Sequence, residues 1–433
     1  MRDCSGGPGS GKSENGISVS TKEYGSMNAD ARELAAGFDI EKLTPEFYID
    51  PYPTYRALRE HEPVKRLPNG SYFLTRYDDL VSAYKSTRLF SSDKKKEFAP
   101  KYGNSLLYEH HTTSLVFNDP PAHTRVRRLI MGALSPRAIA GMEPDLIALV
   151  DRLLDALAAK GHVELIEDFA SAIPVQVIGN LLDVPMQERE SLRDWSLAIL
   201  GALEPVIGPE VFARGNDAVK DFLAYLEILV ARRRAKPGNP ERDVLTRLIQ
   251  GEDNGERLTA RELLHNCIFL LNAGHETTTN LIGNGLVALS GNPAQKKRLI
   301  ENPALIKTAI EEILRFESSN QLGNRMTTEP VELGGSIKLA AGTPVTLCIG
   351  AANRDPAQFA DPETLDVART PNRHLAFGTG AHQCAGMALA RLEGAIAISR
   401  FLARFPGYAL SAPPVRGGRV RFRGFLSVPC VVG

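Results

Sequence analysis

Cys384 stands where a thiolate could do chemistry. The run His374-Leu375-Ala376-Phe377-Gly378-Thr379-Gly380-Ala381-His382-Gln383-Cys384-Ala385-Gly386 pinches the chain with glycines. It then leads into a helical stretch with Leu389, Leu392, Ile396, Phe401 and Leu402 available for one apolar face and Pro406 beyond its end. Gly378 and Gly380 permit tight turns and the close approach of a flat ligand. A cysteine at the start of that helix meets free N–H groups and the positive end of the helix dipole, which favour the thiolate. A thiolate is the axial ligand that pushes electron density onto haem iron. The alternative is a buried, inert thiol, which suits Cys267, Cys348 and Cys430. The glycine-pinched loop sets Cys384 apart from them.

A second group lies in a long helical stretch. Thr259-Ala260-Arg261-Glu262 is a capping box, and apolar positions follow at Leu263, Leu264, Ile268, Leu270 and Leu271, resuming at Leu281, Ile282, Leu286 and Leu289. Between them stands Asn272-Ala273-Gly274-His275-Glu276-Thr277-Thr278-Thr279-Asn280. Glycine weakens a helix interior, and three threonines and an acid are costly in a packed core without partners. A solvent-facing kink would explain this. A central helix passing a polar cavity fits better, because the polar residues cover every face between two apolar halves.

The elements that must position these groups are mostly helical. Helix-like segments are 51–61, 121–135, 141–159, 185–203, 217–235, 259–290, 304–317 and 385–405. Strand-like runs are Ser71–Thr75, Val331–Leu339, Pro344–Ile349 and Arg419–Val428. The fold class is therefore mainly α with a small β part. No linker divides the chain after residue 30, so residues 27–433 read as one catalytic domain behind a Gly/Ser-rich extension or tag, 1–26, expected to be disordered.

That extension holds a decoy. Gly6 to Ser13, G-G-P-G-S-G-K-S, matches the phosphate-binding P-loop pattern, but no strand precedes it and no apolar helical period follows. Of 433 residues, 51 are Lys or Arg and 51 Asp or Glu, so a basic footprint for nucleic acid is missing. Five cysteines, Cys4 included, form no C-x-x-C pair and fit a reducing cytosol. No run of about 18 apolar residues and no signal-peptide core is present, so a cytoplasmic protein is expected.

Phe377 to Gly386 matches, without a gap, the haem-binding signature F-G-x-G-x-H-x-C-x-G, and the chain resembles the cytochromes P450 over about residues 45–430. The resemblance implies that family's fold, with a long central helix over the haem, and haem b held by Cys384. It places Phe377, Gly378 and Ala273 against the haem. Asp119-Pro120-Pro121-Ala122-His123-Thr124-Arg125-Val126-Arg127 is similar to the family's haem-facing helix, so His123 and Arg127, with Arg325 and His382, are expected to hold the propionates. Glu312 and Arg315, an E-x-x-R pair, are expected to join Arg369 in a buried network that fixes the cysteine loop. Ala273 to Thr278 resembles the family's oxygen-activation segment, with Glu276 as proton relay and Thr277 as the hydroxyl beside bound oxygen.

The implied function is insertion of one oxygen atom of O2 into a small hydrophobic substrate by a monomeric enzyme. Electrons would come from a separate ferredoxin and its reductase, since nothing in the chain resembles a flavin or nicotinamide domain. By family position, Ser114, Leu115, Val116, Phe269, Asn272, Ala273, Gln321, Leu322 and Phe425 line the substrate pocket. The alternatives are a peroxide-driven haem-thiolate peroxygenase, which should lack the acid–threonine pair, and a non-catalytic haem-binding sensor.

Overall fold

The computed structural model describes residues 30–240, 243–251 and 257–432. The N-terminal extension and its P-loop pattern lie outside the described residues.

A helix over Ala260–Gly291 runs through the molecule. Its capping box is formed as expected: Thr259 Oγ1 accepts from Glu262 N at 3.1 Å and Glu262 Oε2 accepts from Thr259 N at 2.9 Å. The helix is buried among neighbours on most sides, and its glycines allow that. A Cβ at Gly283 would meet Ile166 Cδ1 at 2.7 Å, and one at Gly285 would meet Ile398 Cδ1 at 2.8 Å. Around it pack the helices Ala172–Leu181, Glu190–Gly201, Ile306–Phe316 and Met387–Arg404. Leu281, Ile282, Leu286, Ile310, Ile313, Ile398 and Phe401 all belong to the large apolar core that results.

The β part is a five-stranded sheet beside this helical body. Val64–Arg66 pairs antiparallel with Tyr72–Leu74, which pairs parallel with Pro344–Cys348. Leu322–Thr327 lies antiparallel on the other side of Pro344–Cys348, and Phe90–Ser91 closes the edge. Two expected strands are broken up. The 331–339 run is a hairpin, Val331–Leu333 against Ile337–Leu339, turned by Gly334 and Gly335 at positive φ. In the 419–428 run only Phe425–Ser427 is a strand, paired with Val415–Arg416. Between them Phe422 makes only an isolated antiparallel bridge with Asn320, through Gln321 N to Arg421 O at 2.8 Å and Arg423 N to Ser319 O at 2.9 Å.

No helix among the described residues is long and apolar enough to cross a membrane.

Candidate active site

Beneath the central helix lies a cavity of about 360 Å³ whose wall includes both Cys384 and the polar middle of that helix. The cysteine loop is closed by backbone hydrogen bonds, Cys384 N to Phe377 O at 2.9 Å and Gln383 N to Gly380 O at 3.1 Å. Gly378 and Gly380 sit at φ of 62° and 75°. At Gly380 a Cβ would lie 2.6 Å from Tyr84 O, so no larger residue fits. The following helix begins at Met387 with Gly386 as its N-cap, so Cys384 precedes the helix instead of opening it. Burial pushes the Cys384 thiol up, against the pull of the Gly386 N–H and the Arg127 and Arg391 guanidinia. The helix end alone therefore does not make the thiolate here. A metal cation at the sulfur would.

The loop is held from behind by a network with almost every polar atom used. Arg315 and Glu312 are fully buried and share a bidentate pair at 2.7 Å. Arg369 Nε reaches the same carboxylate at 3.0 and 3.1 Å, and Asp366 N and Asn372 Nδ2 complete its shell at 2.9 and 3.1 Å. The remaining guanidinium N–H groups donate to the carbonyls of Asn353, Ala360, Asp361, Pro362 and Thr364. The resemblance implied this triad, and the i,i+3 spacing put Glu312 and Arg315 on one helix face. A second clamp had no such signal. Glu311 binds Arg391 at 2.7 and 2.8 Å and His374 at 3.1 Å, and the Arg391 guanidinium lies 4.7 Å from the Phe377 ring centre.

The cavity's edge supplies donors without acceptors. The His123 and His382 rings lie tilted with centres 3.9 Å apart, and among the described residues His123 Nδ1 and His382 Nε2 are buried with no partner. Arg127 donates to Gln383 O at 2.6 Å and Arg325 to Asn324 O at 2.7 Å. Among the described residues neither arginine is paired with a carboxylate. Burial first, and then these guanidinia, push His123 down to about 4 and His382 down to about 3. Two cations and two unpartnered imidazole nitrogens suit a ligand edge bearing two carboxylates, as haem does. Cys384, Phe377, Gly378 and Ala273 all face the same space. The residues present fit the haem.

On the opposite wall, Thr277 faces the cavity and its hydroxyl donates to Ala273 O at 2.7 Å. Glu276 does not reach the wall. Its buried carboxylate is turned to Arg419 Nη1 at 2.6 and 2.7 Å, because successive helix positions point about 100° apart. Burial raises it to about 7, with Arg419 pulling the other way. Gly274 serves packing as well as space, since a Cβ there would lie 2.5 Å from Ile178 Cδ1.

Ser114, Leu115, Val116, Phe269, Asn272 and Leu322 line the cavity, and Asn272 Oδ1 has no partner. Two expected pocket residues do not. Gln321 is fully buried on the far side: its Nε2 donates to Ser318 O at 2.7 Å, and its Oε1 is crowded against Gly350, where a Cβ would lie 1.8 Å away. Leu322, the first residue of the strand, takes the wall together with Gly323, Asn324 and Arg325. Phe425 is in the core with the Arg416 guanidinium 3.9 Å from its ring centre, and Phe422 takes the wall. Lys94, His110, His111, Arg421 and Glu393 also line the cavity and were not foreseen. Only Glu393 left a trace, an acid on the otherwise apolar face of Leu389 and Ile396.

The family model described as Cytochrome P450 matches residues 69–409. A biotin biosynthesis cytochrome P450 of Bacillus subtilis is 36% identical over 369 residues, covering 84% of this chain and 92% of the relative. A vitamin D(3) 25-hydroxylase of Pseudonocardia autotrophica is 38% identical over 369 residues, covering 84% and 89%. The crystal structure of P450BioI in complex with hexadec-9Z-enoic acid ligated acyl carrier protein superposes with a TM-score of 0.85 at 34% identity, covering 90% of this chain and 99% of that one.

Proposed function

The chain belongs to the cytochrome P450 family, and from that membership we propose that it hydroxylates small, largely apolar substrates in the cytoplasm as a monomer, with electrons from a ferredoxin and its reductase. As a P450 monooxygenase it binds haem b through a cysteine thiolate, and Cys384 is the cysteine the loop geometry supports. When bound, the haem supplies the activation of O2 that no side chain can perform.

The observation that carries the reading is one cavity bounded by both Cys384 and Thr277. Most of the wall between them is apolar, with Leu115, Val116, Ile178, Ile199, Leu200 and Phe269, which suits an apolar guest. The relatives' names point the same way, since they specify a fatty acyl chain and vitamin D3. His123, Arg127, Arg325 and His382 would hold the propionates. Thr277 Oγ1 would hold a proton at the cavity wall. Glu276, at about 7, can bind and release a proton near neutral pH. Its pairing with Arg419 must loosen for the carboxylate to reach Thr277. The ferredoxin would dock on the Cys384 side, on exposed basic side chains.

The test is the absorption spectrum of the reduced, carbon-monoxide-bound protein, followed by turnover of an apolar substrate with a ferredoxin system. A thiolate-type spectrum with ferredoxin-dependent product is expected. Product from hydrogen peroxide alone would move the reading to a peroxygenase.

A further inference from the structure

The C-terminal segment carries four arginines close together, and one is unlike the rest. Arg416 and Arg423 pair with Glu317, and Arg419 pairs with Glu276. Arg421 lies on the cavity wall and donates only to neutral acceptors: Leu203 O at 3.1 Å, Leu322 O at 2.9 Å and Asn324 Oδ1 at 2.6 Å. Among the described residues no carboxylate pairs with it. The Glu204 carboxylate is taken up by the backbone N–H groups of Val420 and Arg421.

His111 is on the same wall, 1% exposed, and its Nε2 is buried without a partner. Burial first, and then Lys101, Arg421 and His265 nearby, push its ring down to about 3, so the imidazole is neutral and can offer one N–H. Lys94 also lines the cavity, 1% exposed and paired with Glu97 at 2.6 Å. Lys101 stands behind, its Nζ on Glu204 O at 2.6 Å. Lys94 is paired with Glu97, Lys101 has the Glu204 carboxylate near it, and among the described residues Arg421 has no carboxylate partner, so surplus positive charge stands at Arg421.

A cationic guest would be repelled here. A neutral hydroxyl would satisfy His111 but leave the surplus charge. A carboxylate does both, and charge-assisted hydrogen bonds in a water-poor site are the strong ones. We propose that Arg421 and His111 form an anion-binding corner that takes the carboxylate head of an apolar-chain carboxylic acid, while its tail lies along the aliphatic wall of the cavity. This rests on the monooxygenase reading for what becomes of the tail, but not for binding.

The experiment uses the haem-loaded full chain. Dodecanoic acid, its methyl ester and dodecan-1-ol are titrated by calorimetry and by the haem spin-state absorbance. The acid is expected to bind about 10- to 100-fold more tightly than the ester, the range of one charge-assisted hydrogen bond group. Arg421→Gln should remove that preference and leave ester binding unchanged, and Arg421→Lys should restore part of it. His111→Phe should reduce it less. Should Arg421→Gln not fold, the acid-against-ester comparison in the unaltered protein decides alone. Equal affinities there, or acid and ester weakening together in Arg421→Gln, overturn the proposal. Acid preference without oxidation of the acid would leave the corner standing and defeat the substrate reading. Ferredoxin-driven oxidation of neutral compounds without acid preference would do the reverse.

Discussion

The support behind the cysteine loop and the wall facing the substrate space treat their polar groups in opposite ways. Behind the loop, Glu312, Arg315 and Arg369 bind one another, two further side-chain or backbone donors and a ring of carbonyls. Across the cavity, among the described residues, His111 Nε2 and Asn272 Oδ1 are buried without a partner and Arg421 has no carboxylate. Burying an unsatisfied polar atom costs about 1–3 kcal/mol. The first region thus spends its polar groups on rigidity, and the second leaves them for a guest. Unpartnered polar atoms recur at the cavity edge, at His123 Nδ1 and His382 Nε2.

That contrast can be broken most severely at the sulfur. Cys384→Ala should abolish the thiolate-type spectrum of the reduced carbon monoxide complex entirely, and an unchanged spectrum would remove Cys384 from the iron. Next comes the satisfied network. Glu312→Ala strands the fully buried Arg315 and should cost about 3–5 kcal/mol, seen in chemical denaturation and in lost haem content. A cost below about 1 kcal/mol, the scale of an ordinary surface pair, would show that the network does not brace the loop.

A smaller effect is expected on the open wall. Thr277→Ala should leave folding and haem uptake intact but lower product formed per O2 consumed several-fold, with hydrogen peroxide making up the balance. Unaltered coupling would leave Thr277 a packing residue.

The smallest effect sharpens the comparison through pH. Glu393 lines the cavity with Oε2 unpartnered, and burial pushes it from 4.5 to about 8. The folded state then holds a proton that the unfolded chain has lost. Stability on this account falls as pH rises from about 4.5 through about 8. Glu393→Gln should flatten the dependence of Tm on pH across that window and match the unaltered protein below it. An identical slope in the variant would mean that Glu393 has a partner when haem is bound.

The loop, the capping box and the E-x-x-R pair were legible because each is written in neighbouring residues. Local geometry fixes what such residues can reach. Glu276 shows where that legibility ends. Its position beside Thr277 was readable, but its partner Arg419 comes from the far end of the chain, and the helix turns the two side chains apart. Gln321 and Leu322 were readable as a pair, yet Gln321 is turned away to Ser318 O and Gly350 and only Leu322 meets the cavity.

The linear order of residues was enough to identify the family and the mainly helical class, and to point to Cys384 as the expected haem ligand, because these rest on contiguous patterns. It also located the hydroxyl Thr277 and the triad Glu312, Arg315 and Arg369. Only the folded chain decided that, among the described residues, Arg421 lacks a carboxylate while its three neighbours have one, that His111 Nε2 is left unpartnered, and that Phe422 replaces Phe425 at the wall. Those are facts about which distant groups meet. Burial and pairing are properties of the closed structure and of no single segment.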